Sequence, residues 1–229
     1  MCMVRPMADT RLLQEVAERG AVIPDRKQLQ RFDWLRQALD VFVSAGIDAV
    51  RITRLADDLG VTRGSFYWHF ENREDLIDAL VGYWKDKNTA AIIRSVDQAS
   101  DLEDGIFGFF ETCVDAAHFD PRLDLAIREW SRRSPRIRDL VDCEDAARIG
   151  ALQDFFTACD YPLPDALIRA RVLYYSQIGF YALEIEETLN TRLTYTESYF
   201  ECFTGKKLDP RRAVSFKQYI LDTYGDQLS

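Results

Sequence analysis

An all-α fold is predicted by three features of the 229-residue sequence. Apolar residues recur at the three- and four-residue spacing of amphipathic helices through most of the chain. Glycines and cap-forming Asp, Asn, Ser and Thr residues fall at the ends of those stripes, and no alternating run of strand length interrupts them.

Residues 1–24 read as an extension. Leu12, Leu13, Val16 and Ala17 have helical spacing, but Pro6 and Pro24 bracket them. Arg5 and Arg11 offer a basic arm of the kind that enters a minor groove, beside the plainer reading of a solvated tail. From Arg26 a helix is predicted whose stripe is Leu35, Ala38, Leu39, Phe42 and Val43, with Gly46 at its end. Ile52, Leu55, Ala56 and Leu59 then form a short amphipathic helix closed by Gly60. Thr62 stands where an N-cap belongs, and Phe66 and Phe70 share one face of a second short helix. Two short helices joined by a tight turn predict a helix-turn-helix, and with the helix before them a three-helix domain over 25–71.

A larger helical domain is predicted over 72–229. Asn72 is an N-cap, Glu74 and Asp75 suit the helix dipole, and Leu76, Ile77, Leu80, Val81 and Trp84 carry the stripe toward about Ser95. Further helices are read around Phe107 and Phe110, from Leu123 to Trp130, and from Ile137 to Cys159 after the Ser134–Pro135 start. Residues 160–164 form a loop. Residues 166–183 are apolar nearly all round, which predicts a helix buried on more than one side. Tyr195, Tyr199, Phe200 and Phe203 form another stripe, Gly205 ends it, and Asp209 with Pro210 caps a last helix reaching about Tyr224.

Hydrophobic residues make up 47% and charged residues 29%, the balance of a globular protein able to bury a core. The net charge of −9 excludes a protein that coats nucleic acid indiscriminately, because that affinity comes from many phosphate contacts. The stretch 25–86 is itself slightly acidic, so any DNA contact must be local. Five scattered cysteines without a CxxC pair argue for a reducing compartment, and no apolar run is long enough for a membrane span. A cytoplasmic protein without membrane contact is expected.

The helix-turn-helix carries chemistry suited to DNA. Thr53 and Thr62 stand at helix starts, where hydroxyls and free N–H groups meet phosphate, and Arg54 and Arg63 place cations beside them. Gly64 and Ser65 keep the front of the second helix low enough for close approach to a major groove. Tyr67, Trp68 and His69 put polar-tipped rings where a structural helix would carry Lys or Glu. The run Thr53-Arg54-Leu55-Ala56, continued by Leu59-Gly60-Val61-Thr62-Arg63-Gly64-Ser65-Phe66-Tyr67-Trp68-His69-Phe70-Glu71-Asn72-Arg73-Glu74-Asp75-Leu76, closely resembles the N-terminal signature of the TetR family of bacterial transcriptional regulators. The resemblance implies that Thr53, Thr62, Tyr67, His69 and Arg73 hold phosphates while Arg63, Ser65 and Trp68 lie where bases are read. At the position of Arg73 that family usually carries Lys.

The same resemblance implies a C-terminal ligand-binding and dimerisation domain, and with it a repressor that binds a palindromic operator in double-stranded DNA as a homodimer and is released by a small apolar or aromatic effector. For the dimer interface, Leu167, Ala170, Tyr174, Ile178 and Tyr181 follow a nearly heptad spacing, with Tyr199 and Phe203 completing a four-helix contact. For the ligand, Phe107, Phe110, Trp130, Phe156, Tyr175 and Gln177 supply the largely apolar mixture that pockets use. Glu111, Asp115 and His118 share a helix face near Cys113 and invite an alternative, an all-α metal-dependent enzyme. Cys113, Cys143 or Cys159 would serve a redox-responsive regulator. No nucleophile–base pairing or ligand spacing supports catalysis, so no enzyme activity, metal or cofactor is expected.

Overall fold

The computed structural model describes residues 29–225, so the extension with Arg5, Arg11 and the 12–17 stripe lies outside the described residues. Every regular element among those residues is helical. Helix α1 (Arg31–Ala45) ends at Gly46, whose φ of 77° is open to glycine, and a 3-10 turn (Ile47–Ala49) leads to α2 (Ile52–Asp58) and α3 (Arg63–Phe66). Helix α4 (Arg73–Trp84) starts at Asn72, whose side chain accepts the Asp75 N–H at 3.0 Å. It continues through a π-helical turn (Lys85–Thr89) into α5 (Ala90–Asp97). There follow α6 (Leu102–Val114), α7 (Pro121–Ser131), α8 (Pro135–Ala158), α9 (Leu163–Ala182), α10 (Leu189–Thr194), α11 (Thr196–Thr204) and α12 (Pro210–Tyr224).

These helices form two compact units. The first runs up to Asn88 and takes in Arg122–Cys143; the second holds Thr89–Pro121 and the chain from Glu144 onward. The boundary read from sequence at residue 71 falls inside the first unit, because α4 packs as a fourth core helix with α1. Trp34, Leu35, Ala38 and Phe42 of α1 meet Leu55 and Ala56 of α2, Phe66 and Phe70, and Leu76, Leu80 and Trp84 of α4 in one core. Each buried Leu or Phe side chain among them contributes about 1.5–3 kcal/mol. Leu123 and Ile127 of α7 and Ile137 and Val141 of α8 close it.

A polar pair is sunk in that core. The Trp84 indole Nε1 donates to Asp124 at 2.8 Å, and the other carboxylate oxygen of Asp124 accepts the Arg128 Nε at 2.8 Å. Asp124 is only 1% exposed, so its charge depends on these partners.

The second unit packs α5, α6, α8, α9, α11 and α12 around Ile92, Phe109, Leu152, Phe156, Leu173 and Phe200. Gly108 sets the closeness of α6 to α5, since a Cβ there would stand 2.9 Å from the Ser95 carbonyl oxygen. Inside lies Arg148, fully buried, donating from Nε to Thr89 Oγ1 and from Nη1 to the Tyr174 hydroxyl, both at 3.0 Å.

Two element boundaries differ from the sequence reading. Helix α9 begins at Leu163 with Pro164 in its first turn, inside the stretch read as a loop, because proline is tolerated where the helix has no N–H to satisfy. Helix α10 was not anticipated. It is six residues long and is organised by Thr188, whose hydroxyl accepts the Thr191 N–H at 3.2 Å.

Replacing Asp124 with Ala leaves the buried Trp84 N–H and the Arg128 charge without this acceptor, and a loss of about 3 kcal/mol is expected in urea unfolding followed by tryptophan fluorescence. A change under 1 kcal/mol would show that the pair does not hold this unit together.

Candidate nucleic-acid interface and ligand cavity

Helix α3 has one helical turn of regular structure, too short to hold itself. Its position is set from both sides. Before it, Gly60 adopts φ 66°, its N–H bonds to the Asp57 carbonyl at 3.1 Å, and the Val61 N–H bonds to the Ala56 carbonyl at 2.9 Å. That double closure is a Schellman end to α2, and it fixes the angle at which the chain turns. After it, Phe66 is buried completely, edge-on to Trp34 with centroids 5.3 Å apart and stacked on Phe70 at 5.4 Å. Arg31 closes the end, its guanidinium 4.2 Å over the Phe70 ring and 3.2 Å from Asp75.

The opposite face of α3 is left in solvent. Trp68 is 87% exposed, and Tyr67 is 61% exposed with its ring edge-on to Phe66 at 5.4 Å. Thr53, Arg54, Thr62, Arg63 and Gly64 are exposed, and Ser65 and His69 half-buried, so the structure brings these residues to the two helices and the turn between them. Thr62 begins α3 without using its hydroxyl as a cap. Among the described residues Arg63 makes no ion pair, whereas Arg54 lies 3.8 Å from Asp58.

Arg73 is the exception among the expected phosphate contacts. Its Nε donates to the Val50 carbonyl at 2.7 Å and its Nη2 to the Ile47 carbonyl at 2.8 Å. It ties the start of α4 to the turn after α1.

In the second unit a cavity of about 340 Å³ opens between α6, α9, α10, α11 and α12. Phe107, Phe110 and Gln177 line it, as do Phe180, Arg192, Thr196, Tyr199, Phe203 and Phe216. The other sequence candidates lie elsewhere. Trp130 belongs to the first unit, edge-on to Phe42 at 5.9 Å. Phe156 is fully buried in the packed core, and Tyr175 is 55% exposed on α9. Aromatic content singled these three out, but lining a cavity depends on which helix face meets which neighbour.

The dimer candidates divide in the same way. Ala170 and Tyr174 are buried in their own subunit, and the Tyr181 hydroxyl, its pKa pushed up by burial, donates to the Cys113 carbonyl at 2.8 Å. Leu167 and Ile178 are half-buried. The exposed apolar stripe of α9 is one residue on, at Ile168, Val172 and Tyr175. Tyr199 is half-exposed and stacks on Phe203 at 5.5 Å, both beside the cavity.

The metal site of one alternative is not assembled among the described residues. Glu111 accepts the hydroxyls of Tyr219 and Tyr224 at 2.5 and 2.9 Å, Asp115 sits 2.6 Å from His118 Nδ1, and no group among the described residues has the makings of a metal site. Cys113 is buried and burial pushes the Cys159 thiol up, away from the reactive thiolate, but Cys143 is disulfide-bonded, against the sequence expectation that the cysteines stay reduced. No described helix is long and apolar enough to cross a membrane.

The helix-turn-helix has known counterparts. Residues 35–80 match the family described as bacterial regulatory proteins, tetR family. The class A tetracycline repressor protein from transposon 1721 of Escherichia coli is 42% identical over 53 residues, which are 23% of this chain and 24% of that protein. Its helix-turn-helix domain is of the TetR type.

Its matched stretch thus spans about a quarter of the repressor's length. The transcriptional repressor KstR2 of Rhodococcus jostii is 28% identical over 96 residues, covering 40% of this chain and 47% of that one. Over most of the chain the likeness to solved structures is one of fold alone. Mycobacterium smegmatis AmtR superposes with a TM-score of 0.56 at 16% identity, covering 86% of this chain and 96% of the other. For Salmonella enterica GusR the values are 0.53, 17%, 84% and 93%.

Sequence reasoning missed the cavity's Phe180, Arg192 and Phe216. They come from separate helices, and the one local signal was an Arg between the apolar Leu189 and Leu193, on a helix too short to read from sequence. Within the TetR domain, Arg73→Met is expected to lower stability by about 2 kcal/mol in thermal unfolding, since two charge-assisted hydrogen bonds are lost. A residue reserved for DNA would leave stability unchanged.

Proposed function

We propose that this protein is a cytoplasmic, ligand-responsive transcriptional repressor that binds a palindromic operator as a homodimer and leaves it when a small apolar or aromatic effector enters the cavity of the second unit. The observation that carries the reading is the face of α3: two large aromatics in solvent beside an unpaired Arg63, on a helix whose other face is locked into the core. A helix of purely structural use has no reason to expose Trp68. In this reading Arg63, Gly64, Ser65 and Trp68 meet base edges, while Thr53, Arg54, Thr62, Tyr67 and His69 hold phosphates. Arg73 acts on the operator chiefly by fixing α4, with its remaining donors toward phosphate.

Two copies are required because one four-residue helix with few cations gives little affinity. Two-fold symmetry sets the recognition helices roughly 34 Å apart, one turn of DNA. The exposed stripe Ile168, Val172 and Tyr175 supports α9 as part of the shared surface. Effector and operator are linked through the chain itself. The helical run from Arg73 to Asp97 begins in the first unit, passes through the π turn at Lys85–Thr89, and ends in the second. An effector that prefers one arrangement of that run weakens the operator by the same factor that the operator weakens the effector.

Operator selection from random DNA, followed by fluorescence anisotropy, tests the function directly. The full chain is expected to enrich a palindrome. Arg63→Ala and Trp68→Ala should each weaken that palindrome at least about tenfold while leaving thermal stability within about 0.5 kcal/mol, since both side chains are exposed. Failure to enrich any sequence would overturn the reading. Val172→Glu should convert a dimer to a monomer in light scattering and abolish operator binding; a wild-type monomer at micromolar concentration would remove the two-fold model.

A further inference from the structure

We infer that the effector carries a compact anionic head, a carboxylate or sulfonate on an apolar body, and that Arg192 with Gln177 recognises it. This rests on the reading of the second unit's cavity as the effector site. The cavity wall is mainly apolar, with Ser176, Gln177, Glu187 and Thr196 among its residues, and it includes one guanidinium. Arg192 lies with its Cζ 5.0 Å over the Phe110 ring and 4.6 Å over the Phe180 ring, and among the described residues it makes no ion pair. Two ring faces hold the cation in place and offset part of its desolvation, but they do not neutralise it or accept its in-plane N–H groups. Those donors remain for a ligand.

Gln177 adds a second one. Its Nε2 is buried without a well-formed hydrogen bond, the Tyr181 hydroxyl being the polar group near it, on a side chain that lines the same cavity. The Thr196 hydroxyl, also on the wall, already donates to the Leu193 carbonyl at 2.8 Å. Glu187 is the one acidic side chain of the wall, and it is exposed. The interior therefore offers donors and positive charge in apolar surroundings. A neutral hydrocarbon would leave both donors unmet, and a cationic ligand would face Arg192. A carboxylate satisfies the guanidinium through two parallel bonds and has lone pairs left for the amide.

A matched pair of probes that brighten in apolar sites separates the head from the body: anilinonaphthalene sulfonate, and phenylnaphthylamine, which has the same rings without the charge. Titrated into the full-length protein, the sulfonate is expected to bind at least about tenfold tighter than the neutral amine, the scale of one desolvated charge-assisted contact. Arg192→Met should bring the two within about twofold by weakening the sulfonate alone, and Arg192→Lys should keep a preference. Decanoate should displace the sulfonate where decanol at equal concentration does not. Unchanged affinity for the neutral amine reports that the variant cavity is intact; where Arg192→Met does not fold, the wild-type probe pair and the displacement decide alone. Equal binding of the two probes by the wild type overturns the anionic head, a preference that survives Arg192→Met overturns Arg192 as its partner, and either result leaves the cavity as the effector site. If neither probe brightens, the cavity reading fails and this inference with it.

Discussion

The burial of Phe66 is the contact on which the DNA-binding face depends. Helix α3 has too few residues to be stable alone, and its direction is set by one ring driven between Trp34 and Phe70. Once Phe66 points inward, helical geometry turns Trp68, two residues on, outward. The Gly60 closure supplies the other end of the constraint, because its left-handed backbone carries the chain from α2 into α3 in four residues. Exposure of Trp68 is thus a consequence of packing behind it rather than of looseness at the surface.

The same economy appears in how charge is used. A chain with net charge −9 has few cations to spare, and several in the first unit are committed to the fold. Arg73 holds two backbone carbonyls, Arg31 caps the Phe70 ring, and Arg128 satisfies a buried carboxylate. The second unit has one arginine, Arg148, wholly inside, bonded to Thr89 and Tyr174, and another, Arg192, held between rings at a cavity wall. An arginine in apolar surroundings is expensive unless its donors are met, so these two positions mark where the fold carries internal polarity.

The first unit was largely readable because its signals are local. Cap residues, a glycine and a four-residue repeat of phenylalanines lie within twenty neighbouring positions, and each has a backbone reason to stand where it does. The α9 region was not readable in the same way. Apolar residues all round a helix establish that both sides are covered, but they contain no phase. The heptad through Leu167, Ala170 and Tyr174 and the exposed stripe through Ile168, Val172 and Tyr175 differ by one residue, a rotation of about 100°. Only the neighbours of α9 distinguish them. Trp130 shows the corresponding limit for the cavity, since nothing local says that its ring turns to Phe42 in the other unit.

By itself the sequence determined the helical class, the helix ends of the first unit and the helix-turn-helix, because these follow from the backbone preferences and periodicity of short segments. The tertiary structure decided which unit α4 and α7 join, which face of α9 is free, that Arg73 is occupied with carbonyls, and that Arg192 and Gln177 share a cavity with rings from α6 and α12. Those facts rest on contacts between residues far apart in the chain, and such contacts are fixed by the packing of whole helices rather than by any pattern within one.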